Sequence, residues 1–282
     1  MKITTLIEDT VAAENNLKCE HGLSMFIEVD GLRILFDTGQ SDLFLQNALK
    51  LGIDLAKLDY IIISHAHYDH ANGLVTLLNK YNQRFKLIVS SNFFRHSEKY
   101  RCLVKKENGD MSYKYNGINF NESMLLKSGV DIIYAKDDVM KLSPNIFVFS
   151  KFERNCEFEK ENNNFFFKEN NQYIVDQFDD EIAIGIQLPK GMLLILGCGH
   201  PGFYHMAKTA LELMDQHIYG IIGGTHLIEA NKDQIEKSIA KIKELNIQFL
   251  GLSHCTGADA TKRIKEEFLF AADNQTGKIF YF

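Results

Sequence analysis

Apolar residues in this chain fall into short blocks with the period of strands, separated by stretches with the period of helices. Residues 25–29 and 32–36 are rich in strand-forming types, and Asp30-Gly31 between them is a two-residue hairpin signal. The chain is therefore expected to open with a hairpin. Leu43, Leu45, Ala48, Leu49 and Leu51 then recur at mostly helical spacing and stop at Gly52. Residues 60–63 read as the next strand, 74–81 as a short helix and 86–90 as a further strand. Later the pattern sharpens into a hairpin, 182–188 and 192–196 around Pro189-Lys190-Gly191, followed by a helix through Met214 with Pro201 in its first turn. Two strand-loop-helix units complete it: 219–222 runs into Gly223-Gly224-Thr225-His226, and 247–252 into Ser253-His254-Cys255-Thr256-Gly257.

The stretch 92–180 has no clear period. It contains Glu161-Asn162-Asn163-Asn164 next to Phe165-Phe166-Phe167. The plainer reading makes these aromatics ordinary strand residues of the second sheet, and the other makes the stretch an insertion or lid over a site.

The chemistry concentrates at His65-Ala66-His67-Tyr68-Asp69-His70, directly after the strand at 60–63. In extended backbone, residues two apart point the same way, so His65 and His67 can grip one ion from a common side. Asp69 and His70, near the start of a following helix, can hold a second ion, with Gly73 allowing close approach. Imidazole with carboxylate suits zinc, manganese or iron at roughly 2.0 to 2.2 Å and leaves coordination positions open for water or substrate. The expected cofactor is one or two divalent ions, zinc first. The bland alternative is a surface loop that happens to carry histidines. Three more histidines, His200, His226 and His254, follow later strands. The remaining His96, His205 and His217 sit in ordinary contexts and receive no role.

The His-x-His-x-Asp-His run resembles the signature of the metallo-β-lactamase superfamily. That resemblance implies an α+β fold, a four-layer αββα sandwich of two similar halves, with the metal site along one edge between the sheets. It is read as a single domain over 1–282, with an insertion or lid within 92–180. By the same resemblance His254 matches the last metal histidine and joins Asp69 and His70. The usual pattern has a further histidine before the strand at 182–188 and a bridging aspartate after the strand at 192–196. Here Asp179, Asp180 and Glu181 stand near the first place, and Cys198 and His200 near the second. His200 is read as the third ligand of the His65/His67 ion. Cys198, as a thiolate ligand or bridge, is the rival, with an inert buried cysteine as its alternative. His226 is read as contacting substrate or supporting the ligands, with a purely structural role as the alternative.

Glu20-His21-Gly22-Leu23-Ser24, Phe36-Asp37-Thr38-Gly39-Gln40, Gly197-Cys198-Gly199-His200-Pro201-Gly202 and the loops at 223–227 and 254–257 resemble a narrower branch. That branch includes the dihydropterin-aminobenzene ribofuranosyl phosphate synthases. It implies a phosphorylated or pterin-like small-molecule substrate.

Composition narrows the field further. With 282 residues and 45% hydrophobic content, the chain can bury a substantial core. No window reaches the roughly 18 uncharged apolar residues of a membrane helix and no apolar signal core stands at the start, so a soluble, cytoplasmic protein is expected. Five cysteines without a pairing pattern imply reduced thiols. A net charge of −6 with dispersed basic residues gives no nucleic-acid footprint. The expected activity is that of a metal-dependent hydrolase using a metal-bound water on an ester, lactone or phosphoester, with Asp69 orienting that water. The alternatives are a pterin-phosphate-type transferase releasing diphosphate, and a di-iron redox protein.

Overall fold

The computed structural model describes residues 1–12, 16–81, 83–105, 111–154, 158–159 and 163–282. Two seven-stranded sheets dominate. The first runs, edge to edge, Ile279–Tyr281, Lys2–Ile7, Ser24–Val29, Leu32–Phe36, Tyr60–Ile62, Lys86–Ser90 and Asp131–Ala135. The second runs Ala271–Asp273, Phe249–Leu252, Ile218–Gly223, Gly191–Ile195, Ala183–Leu188, Ile146–Phe149 and Val139–Ser143.

Three apolar clusters show how these sheets are layered. Ile34, Phe36, Ile62 and Ile88 of the first sheet pack with Ile184, Ile186, Leu193 and Ile195 of the second, forming the inter-sheet core. Their sequence neighbours Leu35, Ile61, Leu87 and Val89 face the other way, onto Phe44, Leu45, Leu74 and Leu77 of the helices Leu43–Lys50 and Gly73–Lys80. Met192 and Leu194 likewise face the helices Phe203–Met214, Lys232–Glu244 and Ala258–Glu267. A strand buried on both faces reads as a continuous apolar run, which is why these segments show little alternation. The result is the four-layer αββα sandwich.

In the first sheet Leu32–Phe36, Tyr60–Ile62, Lys86–Ser90 and Asp131–Ala135 are parallel. In the second, Gly191–Ile195, Ile218–Gly223, Phe249–Leu252 and Ala271–Asp273 are parallel. The loops that follow these strands carry the histidines, and open α/β sheets commonly place ligands at such strand ends.

Three expectations need correction. The chain opens with the strand Lys2–Ile7, ahead of the hairpin; it pairs with Ser24–Val29 and with the last strand, Ile279–Tyr281. The hairpin itself forms, with Asp30 at φ 52° and Gly31 at φ 76°, the left-handed pair that such a tight turn demands. Pro201 lies before the helix Phe203–Met214, whose N-cap is Gly202. The three phenylalanines are strand residues, but not of the second sheet. Phe165–Glu169 belongs to a separate four-stranded sheet, Gln172–Val175, Phe165–Glu169, Lys99–Lys105 and Met111–Tyr115. The polar residues 161 and 162 lie outside the described residues, as do Cys156 and Lys106. Among the described residues no helix is long and apolar enough to cross a membrane.

Candidate metal centre

Tyr60–Ile62 ends inside the first sheet, the chain bends at His65 and Ala66, and His67 is extended again before the single helical turn Tyr68–Ala71. His65 and His67 therefore leave the strand end together, while Asp69 and His70 turn past them. Gly73 permits the return: a Cβ there would lie 2.2 Å from the Thr38 carbonyl oxygen. His200 and Cys198 arrive on the loop after Gly191–Ile195, and His254 on the 3₁₀ turn His254–Thr256 after Phe249–Leu252.

These residues converge in two groups. His65, His67 and His200 bring ring nitrogens within 4.8 Å of one another. His65 Nε2 lies 2.9 Å, and His200 Nε2 3.2 Å, from His67 Nδ1. Asp69, His70 and His254 form the second group on the same criterion. Cys198 stands between the groups, its Sγ 3.1 Å from His70 Nε2 and 3.4 Å from His254 Nε2. It also forms a donor set with His65 and His70, and another with His254 and Cys255. The sequence left Cys198 and His200 as rivals, and the fold brings both to the centre in different positions.

Side-chain oxygens hold the rings, buried ones at His65 and His70 and an exposed one at His254. Asp37, at φ 59° where the strand Leu32–Phe36 ends, accepts His70 Nδ1–H at 2.6 Å through Oδ2. The same oxygen accepts the Ser64 hydroxyl at 2.8 Å, and Oδ1 accepts the Ser64 backbone N–H at 2.7 Å. His65 Nδ1 meets Ser64 Oγ at 2.9 Å, and His254 Nδ1 meets Asp9 Oδ1 at 3.2 Å. Asp180 and Glu181 occupy the place where a histidine was sought, but they serve the loops. Asp180 accepts Ala66 N–H at 2.8 Å; Glu181 accepts the N–H groups of Gly199 and His200 at 2.7 and 2.8 Å.

Electrostatics fit cation binding. Burial, reinforced by neighbouring histidines, holds His65 and His200 well below the ordinary imidazole value, and burial with the Lys99 charge does the same to His67. All three are neutral rings with lone pairs to offer. Burial opposes ionisation of Asp69, but the His21 hydrogen bond and the surrounding imidazoles outweigh it and keep the carboxyl below its usual range. His21 bridges Asp69 and Asp9 at 3.2 and 3.1 Å, which raises its pKa to about 9. Burial pushes the Cys198 thiol up, and a bound divalent cation is the kind of charge that reverses such a shift. The neutral imidazoles of His65, His67 and His200, the Asp69 carboxylate and the Cys198 thiol make a donor set that suits one or two soft-to-borderline divalent ions, while at His254 burial is outweighed by hydrogen bonds to Asp9 and Cys255, which raise its pKa.

A cavity of about 170 Å³ opens onto both groups. His226, at φ 49°, lines it with its ring centroid 4.3 Å from that of His200. The small sheet supplies Arg101, Leu103, Lys114 and Phe165 to the same wall. Phe178 stacks on the His200 ring at 3.9 Å with an interplanar angle of 5°.

Residues 17–86 match the sequence model described as the Metallo-beta-lactamase superfamily. The chain is also 31% identical over 280 residues to the 7,8-dihydropterin-6-methyl-4-(beta-D-ribofuranosyl)-aminobenzene-5'-phosphate synthase of Methanocaldococcus jannaschii, covering 95% of this chain and 92% of that protein. The chain belongs to the metallo-β-lactamase superfamily. Its fold matches the crystal structure of Tm1679, described as a metal-dependent hydrolase of the β-lactamase superfamily, with TM-score 0.84 and 29% identity over 100% of this chain and 99% of that one. Zn(2+)-bound PqqB from Methylobacterium extorquens shares the fold, with TM-score 0.60 and 12% identity over the whole of both chains.

Within that superfamily frame, sequence reasoning passed over Asp37, Asp9, Cys255, Lys99, Asp176 and Asn116. Asp37 carried a usable signal, a carboxylate ending the strand that neighbours the His65 strand. Lys99, Asp176 and Asn116 carried none, because they come from the stretch whose period was unreadable.

Proposed function

We propose that this chain is a metal-dependent hydrolase of small-molecule esters, lactones or phosphoesters. One observation carries the reading: seven donors, His65, His67, Asp69, His70, Cys198, His200 and His254, converge in two adjoining buried groups beside an open cavity. One or two divalent ions held there, zinc first by donor type, would supply Lewis acidity and lower the pKa of bound water. The chain's own groups do the rest. Asp69 would offer an oxygen to such an ion and, with Oδ2 accepting from His21 Nε2 at 3.2 Å, is held where it can orient a water. His226 stands at the cavity wall to contact the substrate. Lys114 places positive charge at the cavity wall for an anionic group, beside Arg101 in its pair with Glu229, while Phe165 and Tyr68 offer flat apolar surface. Phe165 and Phe178 shield His67 and His200 from water.

A second reading, a pterin-phosphate-type transferase releasing diphosphate, is favoured by the similarity to the Methanocaldococcus jannaschii synthase along nearly the whole chain.

The test starts with metal content per chain after purification without chelator or nickel, followed by turnover of aryl phosphodiester, carboxylic ester and lactone probes. Zinc or manganese with turnover of one probe class supports the hydrolase. Metal without hydrolysis, but with diphosphate released from an alkyl diphosphate only when a nucleophile is added, moves the assignment to transfer. Coloured iron moves it to redox chemistry. His67→Ala should lose metal and activity while keeping its circular dichroism, because the core is built by flanking apolar strands; full metal content in that variant sinks the ligand assignment.

A further inference from the structure

His65, His70, His200 and His254 all turn Nε2 toward the donor groups. In three of them Nδ1 is matched to an oxygen: Ser64 Oγ, Asp37 Oδ2 and Asp9 Oδ1. His67 is reversed. Its Nδ1 is the atom 2.9 Å from His65 Nε2 and 3.2 Å from His200 Nε2, so a cation shared by the three rings meets the Nδ1 lone pair. The proton must then sit on Nε2 and needs an acceptor.

The group facing His67 Nε2, at 3.1 Å, is the Asn116 amide. Asn116 directly follows the strand Met111–Tyr115 of the small sheet and is only 9% exposed. Its backbone is pinned on both sides, N–H to the Lys99 carbonyl at 3.0 Å and C=O from Tyr68 N–H at 3.0 Å, which fixes it against the metal-binding turn. With Nδ2 toward the ring, two N–H groups would oppose each other and Oδ1 is left buried without a partner. Amide oxygen and nitrogen are nearly the same shape, and a half-turn about χ2 exchanges them. The contact with His67 Nε2–H therefore decides which orientation holds. An N–H facing an N–H forfeits a hydrogen bond in a buried place, whereas Oδ1 facing Nε2–H makes one.

We propose that Asn116 is a positioning residue whose Oδ1 accepts His67 Nε2–H and locks the ring in the tautomer that presents Nδ1 to His65 and His200. This rests on reading those three rings as a cation site. It gives the stretch 92–180 a defined part in that site, since its small sheet carries the partner that orients a ligand inside the main sandwich. Outer partners of this kind commonly change metal affinity by ~10- to 100-fold.

Nitrogen-15 NMR of histidine-labelled, metal-free protein tests it, with His67 assigned by its loss in His67→Gln. The expected result is a proton on His67 Nε2 and a bare Nδ1 in the wild type. Asn116→Leu should lose that bias and bind zinc ~10- to 100-fold more weakly, while Asn116→Asp, which keeps an acceptor, should retain both. If Leu disturbs folding, Asn116→Ala removes the amide without bulk and gives the same comparison. A wild-type proton on Nδ1, or a variant without the amide that keeps both tautomer and affinity, overturns the proposal. A wild type that fails to bind zinc yet holds its proton on Nε2 overturns the metal reading alone.

Discussion

Asp37 shows how much of the centre depends on one side chain. Its two oxygens take the His70 ring proton, the Ser64 hydroxyl and the Ser64 backbone N–H, and Ser64 in turn meets the His65 ring. It is fully buried, so nothing from solvent replaces it. Asp37→Ala should therefore weaken zinc binding about 10- to 100-fold in a chelator competition, through two misoriented rings and not through a lost ligand. Unchanged affinity would show that packing alone orients His65 and His70. At this scale the sequence was legible where candidate donors cluster: four of the six residues 65–70 fall in the converging groups. It was illegible for groups acting from a distance in sequence. Asp9 reaches His254 across 245 positions, and nothing local to either residue announces the pairing.

The helix Phe203–Met214 begins just after His200, and its start illustrates the element scale. Gly202 is its N-cap and has no side chain to satisfy the first N–H groups. Glu159, far away in sequence, does so instead, accepting Tyr204 N–H at 3.0 Å and His205 N–H at 2.9 Å. Glu159→Ala should lower stability by about 1 kcal/mol, measured by urea unfolding. Burial raises the Glu159 pKa to about 7 from its ordinary 4.5. Between those values the unfolded chain has released a proton that the folded chain keeps, so this group's contribution to stability falls as pH rises through the window. Glu159→Gln should flatten that slope; an identical pH profile would exclude the shift. The sequence expected this helix through Met214 but put Pro201 in its first turn, whereas the helix starts at Phe203. The cap was hidden because it lies on another segment.

For the whole molecule, the question is how the small sheet is attached to the sandwich. Lys99, fully buried on the strand Lys99–Lys105, bonds Asp176 and reaches Asp180 at 2.9 Å, and Asp180 in turn accepts Ala66 N–H between the two first histidines. Arg101 pairs with Glu229 across the cavity mouth. Lys99→Met would leave two carboxylates buried without their cation, an imbalance that costs about 3 to 5 kcal/mol in comparable sites. Denaturant unfolding should register that loss, and hydrogen exchange should show protection falling first in the small sheet; a loss spread evenly over all sheets would argue against its being a separately tethered unit. The sequence by itself determined the main strands and helices, because doubly buried strands need continuous apolar blocks, and its His-x-His-x-Asp-His run carried the resemblance that implied the sandwich. Only the tertiary structure decided which of Cys198 and His200 stands where, what holds the imidazoles, and that four strands of 92–180 build a third sheet against the site while three others join the main sheets. Those outcomes depend on contacts between segments 33 to 245 positions apart, such as Asp37 with His70 and Asp9 with His254, and no local period or propensity encodes such contacts.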